Sequence, residues 1–394
     1  MKKNKNILLC GWYGSRNAGD DAILEGILYG FSNYVPQAKL TVLSNKPYET
    51  KKTYGIESIY LWKRFKGFFR FLRALAKCDL FLVGGGSLIQ DVSSFGNIIH
   101  WLLKITLAKI FGKKVALIAI GADYLQYRTS KILAKAVLNR VQFISTRDVI
   151  AADIFKSIGI NQTPIYALTD TANLIKPAPY VSAEKIFEQE GINFGSKTRI
   201  AINIRQFYRQ RKFLNMNKRK WSQYGKLSYN RLVLEMANIV TALQDEFEAK
   251  ILFVPFQVSE SDDDNLAIRD VIANIPRKEN IYMLKHLYPP SRLMAVLGTM
   301  EVVISMRLHP LILAANMGVP VFGVPYAPKT NGFLKEIDME EYSCPINNLS
   351  TQEVLPKIKN ILGKRSSVID IIKHNMEQVR HKAIEHFYLI EKTL

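Results

Sequence analysis

The stretch Ser305-Met306-Arg307-Leu308-His309-Pro310 lies between two kinds of apolar sequence. Before it, Glu301-Val302-Val303-Ile304 reads as a buried strand. After it, Leu311 to Met317 reads as a helix ended by Gly318, and a second apolar strand, Val319 to Val324, follows directly. An Arg and a His at a strand's carboxyl end, facing a helix start, occupy the place where open α/β sheets bind ligands. Arg grips carboxylate or phosphate through two parallel bonds, and His exchanges a proton near neutral pH.

The same alternation extends outward from this stretch. Asn6-Gly11, Lys39-Leu43, Leu80-Val83, Val115-Ile120 and Val141-Ser145 read as buried parallel strands. Amphipathic helices lie between them at Asp21-Tyr29, Ile98-Phe111, Ser130-Leu138 and Val149-Ile158. Leu174 to Lys197, with Pro177, Pro179, Gly191 and Gly195 around one short helix, is the linker candidate. Beyond it, strands Arg199-Ile204, Lys250-Val254, Glu301-Ile304 and Val319-Val324 alternate with helices Asn230-Leu243, Asp263-Ala273 and Ser291-Leu297. The expected fold class is α/β: two Rossmann-like doubly wound domains facing a cleft, the GT-B-like arrangement. The expected bounds are 1–180 and 181–350. A helical segment, 351–394, is expected to pack back on the first domain.

A chain of 394 residues exceeds what one core usually supports, which agrees with two domains. Hydrophobic content of 48% and charged content of 22% are those of a folded protein and argue against disorder. The formal charge of +20 is the anomaly, and it calls for an acidic partner: anionic lipid, nucleic acid or a phosphorylated substrate. No nucleic-acid module is recognised, so nucleic acid is not the expected partner. Cys10, Cys78 and Cys344 lack metal-ligand spacing and read as packed free thiols in a reducing compartment. The apolar run Ile7-Cys10 is too short for a signal peptide, and Lys104, Lys109, Lys113 and Lys114 interrupt Ile98-Ile120. The expected location is the cytoplasm, or the cytosolic face of a membrane.

In the first half, Gly11 to Asp21 follows a strand and opens a helix. Its glycines admit close backbone approach, but the spacing is not the dinucleotide fingerprint. A ligand loop and a plain turn with Asp20 as helix cap both fit. Gly84-Gly85-Gly86-Ser87 reads as a second such loop, whose N–H groups suit an anion or sugar hydroxyls. Ser145-Thr146-Arg147-Asp148 reads first as a local pair and cap, and Asp170 has the same ambiguity. In the second half, Arg205, Arg307 and Lys329 follow separate strands and, with His309, form a candidate anion site. Asp262-Asp263-Asp264 sits at a helix start, favouring dipole complementation over metal binding. His374, His381 and His386 are expected on a solvated helix face. The acid-free Arg205-Lys226 reads as a mobile loop beside the proposed site. Leu61-Arg73, mixing aromatics with cations, fits either an anionic membrane surface or a helix packing its aromatics inward.

These segments, in order, resemble the polysaccharide pyruvyl transferase family, whose members form ketals from phosphoenolpyruvate. The resemblance runs through Gly11 to Leu24, Gly84 to Asp91, Ser145 to Asp148, Ser305 to Ala314, and Gly318 through Lys329 to Phe333. Pro310 stands where the family commonly has alanine, which a helix's first turn accommodates. The resemblance implies His309 as general acid, Arg205 and Arg307 as donor clamps and Lys329 as a further clamp. It implies that the first domain holds the acceptor, a glycan or polyprenyl-linked saccharide, near Asn17, Asp20, Gly84, Gly85, Gly86 and Ser87. Asp20 is the candidate to orient or deprotonate a hydroxyl. Phosphoenolpyruvate would be a co-substrate, with no cofactor and no metal. Two alternatives stand beside this: a nucleotide-sugar glycosyltransferase of GT-B type, and a non-catalytic basic binder of membrane or nucleic acid. Tyr326-Ala327-Pro328-Lys329 lacks the carboxylate that commonly grips ribose hydroxyls, and suits a small anion better.

Overall fold

The computed structural model describes residues 5–60, 64–92, 94–207, 209–210, 220–221, 223–260 and 262–394. They form two compact units. The first runs through Ile175 and includes the terminal Arg380–Leu394, whereas the second starts at Lys176 and ends at Val379.

The first unit is built on seven strands: β1 (Lys5–Cys10), β2 (Ala38–Ser44), β3 (Glu57–Tyr60), β4 (Leu80–Ile89), β5 (Lys114–Ala122), β6 (Ile144–Thr146) and β7 (Ile165–Ala167). Their order is β3-β2-β1-β4-β5-β6-β7, and every pairing is parallel. The central strand shows why. Ile7 and Leu9 enter the core on one face, Leu8 and Cys10 the core on the other, as the two-residue period of a strand requires. Such a strand needs helices on both sides. The edge strands β3 and β7 carry no such run, and the sequence reading passed over them. Order reverses between β1 and β4, the point at which doubly wound sheets open a crevice.

One expectation is corrected here. Gly84, Gly85 and Gly86 do not form a loop after the strand; they lie within β4, which continues to Ile89 through a register irregularity against β5. At Gly85, with φ of +65°, an added Cβ would fall 1.9 Å from Ile23 Cγ2. At Gly84 it would meet Ile27 and the Tyr13 hydroxyl at 2.9 Å. Both therefore let helix Ala18–Tyr34 lie directly on the sheet.

Helix Arg365–Thr393 closes the chain, and its Ala383, Phe387 and Ile390 belong to the first unit's core. Gly30 makes room for the Phe387 ring: a Cβ there would be 2.0 Å from it. His386 was expected in solvent but shares this inward face and is fully buried. Its ring nitrogens lie 2.7 Å from Ser145 Oγ and 2.8 Å from the Thr169 carbonyl. The three cysteines are buried free thiols.

The second unit's sheet has β8 (Arg199–Asn203), β9 (Lys250–Phe253), β10 (Ile281–Met283), β11 (Val302–Ser305) and β12 (Val321–Gly323). It runs β10-β9-β8-β11-β12, again all parallel. The three-residue β10 was not predicted. Reversal falls between β8 and β11, where Asn203 pairs with Ser305. Arg205 and Arg307 each lie two residues beyond this pair. Of the acid-free segment, Arg211, Lys212, Lys218 and Arg219 lie outside the described residues, as do Leu61 to Lys63 of the aromatic-basic one.

Candidate active site at the strand ends

The second unit's site is organised by two aspartates that the sequence reading assigned to a helix dipole. Of the three successive aspartates, only Asp263 caps helix Asp264–Ala273, accepting the Asn265 N–H at 2.9 Å. Asp264 turns inward and is completely buried. One of its oxygens accepts from the Phe256 and Gln257 N–H groups at 3.0 and 3.1 Å and from Asn203 Nδ2 at 3.1 Å. The Arg307 fork closes on the same carboxylate, with Nη2 at 2.6 Å from Oδ1 and Nε at 3.0 Å from Oδ2. A buried carboxylate so fully satisfied is a rigid counter-charge.

Asp262 joins the two arginines. Arg205 Nη2 lies 2.6 Å from its Oδ2, and Arg307 Nη2 lies 3.3 Å from its Oδ1. Arg205 Nη1 donates to the Tyr326 hydroxyl at 2.8 Å, and its guanidinium sits 5.1 Å from that ring's centre. Lys329 Nζ is 5.9 Å from the same ring, and Phe207 packs on it at 4.9 Å. The structure thus brings Arg205, Arg307 and Lys329 around Tyr326. Arg205 Nε, also buried, has no hydrogen-bond partner among the described residues.

Three cations face two carboxylates here, and the remaining positive field is legible in Tyr326. Burial by itself would raise its phenol, yet Arg205, Lys329 and Arg307 draw it down from 10 to about 7. A field that stabilises phenolate also stabilises a bound anion. His309 stands in the first turn of helix Leu308–Asn316, two residues after Arg307, and keeps part of its surface exposed. The turn itself is fixed by Ser305, whose Oγ accepts from the Arg307 N–H at 3.0 Å and donates to the Arg307 carbonyl at 2.8 Å.

The first unit's strand ends are equipped differently. Asn17, not Asp20, caps helix Ala18–Tyr34, accepting the Gly19 N–H at 2.9 Å. Asp20 lies in the first turn, and its Oδ1 would be 3.1 Å from a Cβ on Gly86, so carboxylate and glycine are neighbours. Neighbouring Asp21 accepts the Gly14 N–H at 3.0 Å; burial raises its carboxyl to about 6 against that bond. Ser87 accepts from Arg147 Nη2 at 2.8 Å. Arg147 is buried and crosses Gly121 so closely that a Cβ there would meet the guanidinium at 2.6 Å. Asp148 caps helix Val149–Ser157 and lies 3.4 Å from Arg147 Nε, the local pairing expected from sequence. Gly84 and Gly85 are occupied in helix–sheet contact; Asn17, Asp20 and Ser87 keep partly exposed side chains at this edge, with Gly86 and Arg147 buried beside them.

Sequence reading found the cations but missed Asp262, Asp264, Tyr326 and Gly121. A signal existed for the aspartates, since one helix start uses one cap and three acids were present. Among the described residues, no three His, Cys, Asp or Glu side chains are grouped to hold a metal ion.

Known proteins agree with this architecture. The chain is 22% identical to the amylovoran biosynthesis protein AmsJ of Erwinia amylovora, over 95% of this chain and 96% of that one. Among solved structures it is similar to Anabaena HepE in complex with UDP-glucose, with a TM-score of 0.62, 14% identity and 99% of both chains covered. The UDP-GlcNAc 2-epimerase of Methanocaldococcus jannaschii gives a TM-score of 0.59 at 9% identity, over 91% of this chain and 92% of that one. These likenesses establish a GT-B-like fold. The model of polysaccharide pyruvyl transferases matches residues 17–328, a span that holds both strand-end clusters up to Pro328. With most of the chain matched in sequence, and the Ser305–Pro310 turn built as described, this protein belongs to the polysaccharide pyruvyl transferase family.

Proposed function

We propose that the protein transfers the three-carbon unit of phosphoenolpyruvate to two hydroxyls of a sugar, forming a cyclic pyruvate ketal and inorganic phosphate. The observation that carries this reading is the cluster of Arg205, Arg307 and Lys329 around Tyr326, with His309 on the same strand-end turn. A small donor with a carboxylate and a phosphate needs cations at fixed positions and a proton at its vinyl carbon. Lys329 is the clamp with most capacity left for an anion, because Arg307's fork is committed to Asp264 and Arg205 is held by Asp262 and Tyr326. Arg307 therefore contributes mainly by its charge and by placing its neighbours.

His309 gives a proton to the terminal carbon of the donor, which becomes a methyl group. The adjacent carbon takes on cationic character, and a sugar hydroxyl adds to it and loses its proton. Phosphate departs as hydrogen phosphate with the proton lost by the first hydroxyl, a second hydroxyl adds to the same carbon, and its proton returns to His309. Cations held by buried carboxylates stabilise the developing phosphate charge without reorganising. Asp20, Asn17, Gly86 and Ser87 are the first unit's candidates for the acceptor, a glycan or its lipid-linked precursor, with Asp20 the candidate to orient or deprotonate a hydroxyl.

Mass spectrometry of an acceptor panel incubated with phosphoenolpyruvate tests the reading. The expected result is phosphate release matched to acceptors heavier by one pyruvate ketal. Sugar transfer from a nucleotide sugar, without phosphate release from phosphoenolpyruvate, would replace it with the glycosyltransferase alternative.

A further inference from the structure

Four cations line a cavity of about 380 Å³ on the first unit, at the amino-terminal end of its sheet and so away from that unit's own carboxyl-end edge. Lys39 comes from the start of β2, and Arg70, Arg73 and Lys77 come from helix Arg64–Lys77. Spacings of three and four residues put those three on one helix face. Phe71 and Leu75 of the same helix are fully buried, which fixes its rotation. Asn6 and Thr41 add hydrogen-bonding groups, Ile59, Ala74 and Cys78 supply an apolar floor, and among the described residues no carboxylate lines the cavity. Two acids stand beside it: Asp79 accepts the N–H of the lining residue Asn6 at 2.8 Å, and Glu57, whose first partner is Lys51 at 2.5 Å, also feels Lys39. One turn before Arg73, Phe69 is 55% exposed.

We infer that this cavity seats the headgroup of an anionic phospholipid, and that the first unit docks on an acidic bilayer through it. Lys39, Arg73 and Lys77 would meet the phosphate, Asn6 and Thr41 its ester oxygens, and the floor the first methylenes. Free phosphate would account for the cations alone. The apolar floor and the exposed Phe69 are what point to a lipid, since interfacial helices pair basic residues with an aromatic that enters the acyl boundary. The chain's charge of +20 acts in the same direction.

Co-sedimentation with vesicles of phosphatidylcholine, alone or mixed with phosphatidylglycerol, tests this without donor or acceptor, so its outcome is independent of the pyruvyl reaction. Wild type should bind only the mixed vesicles, less as salt is raised. A Lys39→Gln/Arg73→Gln/Lys77→Gln variant should lose affinity by on the order of a hundredfold, each cation contributing about a fivefold factor. The charge-matched Lys364→Gln/Arg365→Gln/Lys373→Gln variant should retain it. If the first variant does not fold, Lys39→Gln/Lys77→Gln should still show a loss of more than tenfold. Indifference of wild type to acidic vesicles, or an equal loss in the charge-matched variant, overturns the inference. Displacement from vesicles by inorganic phosphate at constant ionic strength would assign the cavity to a free anion and overturn it as well.

Discussion

Where the first unit reverses its strand order it places glycine, and where the second reverses it places arginine. Along β4 the chain carries Gly84 and Gly85, which bring a helix onto the sheet, and Gly86, which lies beside Asp20 at a polar edge. Beyond β8 and β11 it carries Arg205 and Arg307, each locked to a buried aspartate. The same topological point can therefore present hydroxyl-sized hydrogen-bonding groups or a fixed positive field. The difference lies in a few residues after each strand, not in the sheets. Under the proposed function, the arginine side would take the anionic donor and the glycine side the acceptor rich in hydroxyls.

The strongest test of that division is His309→Ala. Losing the general acid should lower kcat by about 100- to 10,000-fold. Phosphoenolpyruvate affinity, measured by calorimetry, should change far less. A folded variant with near-wild-type kcat would break the assignment of proton transfer to the second unit. Next comes Asp264→Ala, which strands the buried Arg307 charge and should cost about 3–5 kcal/mol in urea unfolding. A cost below 1 kcal/mol would mean that the arginine side is not held by its aspartates.

On the glycine side, Gly85→Ala should cost roughly 2–4 kcal/mol by adding a left-handed residue and an overlap with Ile23. Because the effect acts through packing, turnover per folded molecule should survive better than in His309→Ala. Smallest near neutral pH is a proton-linked effect confined to the first unit. Burial, with Lys104 nearby, holds His100 down to about 4, and burial also holds His386 down to about 4. Unfolded histidines take up protons below about 6.5 while the folded ones do not. Stability should be fully present above pH 6.5 and decline as pH falls toward 4. Thermal melts of a His100→Gln/His386→Gln variant should show a shallower decline than wild type over that window, and an unchanged slope would remove these groups from the account.

The sequence displayed most of the sheet framework and half of the site. Strands such as β1 and β11 were legible because burial on both faces writes an unbroken apolar run. The edge strands β3, β7 and β10 were not, since three or four half-buried or exposed residues leave no such run. Arg205, Arg307 and His309 could be located by counting from strand ends. Asp262 and Asp264 could not be told from helix caps, because capping and arginine pairing call for the same side chain in the same place. Gly84 and Gly85 misled for a related reason: glycine is needed equally where a ligand approaches the backbone and where a helix does. His386 was hidden by a helix whose buried face is set by the first unit's core, a contact spanning more than two hundred residues from Ser145 and Thr169.

The central claim, that the second unit's cations hold a small anionic donor, is tested most directly by calorimetric titration with phosphoenolpyruvate, then with UDP-glucose, in the presence of chelator. The account predicts that wild type binds phosphoenolpyruvate, that UDP-glucose does not displace it, and that Lys329→Gln weakens it about 10- to 100-fold, as the loss of a charged hydrogen bond implies. Binding of UDP-glucose in preference to phosphoenolpyruvate, or affinity for phosphoenolpyruvate untouched in Lys329→Gln and Arg205→Gln alike, would contradict it.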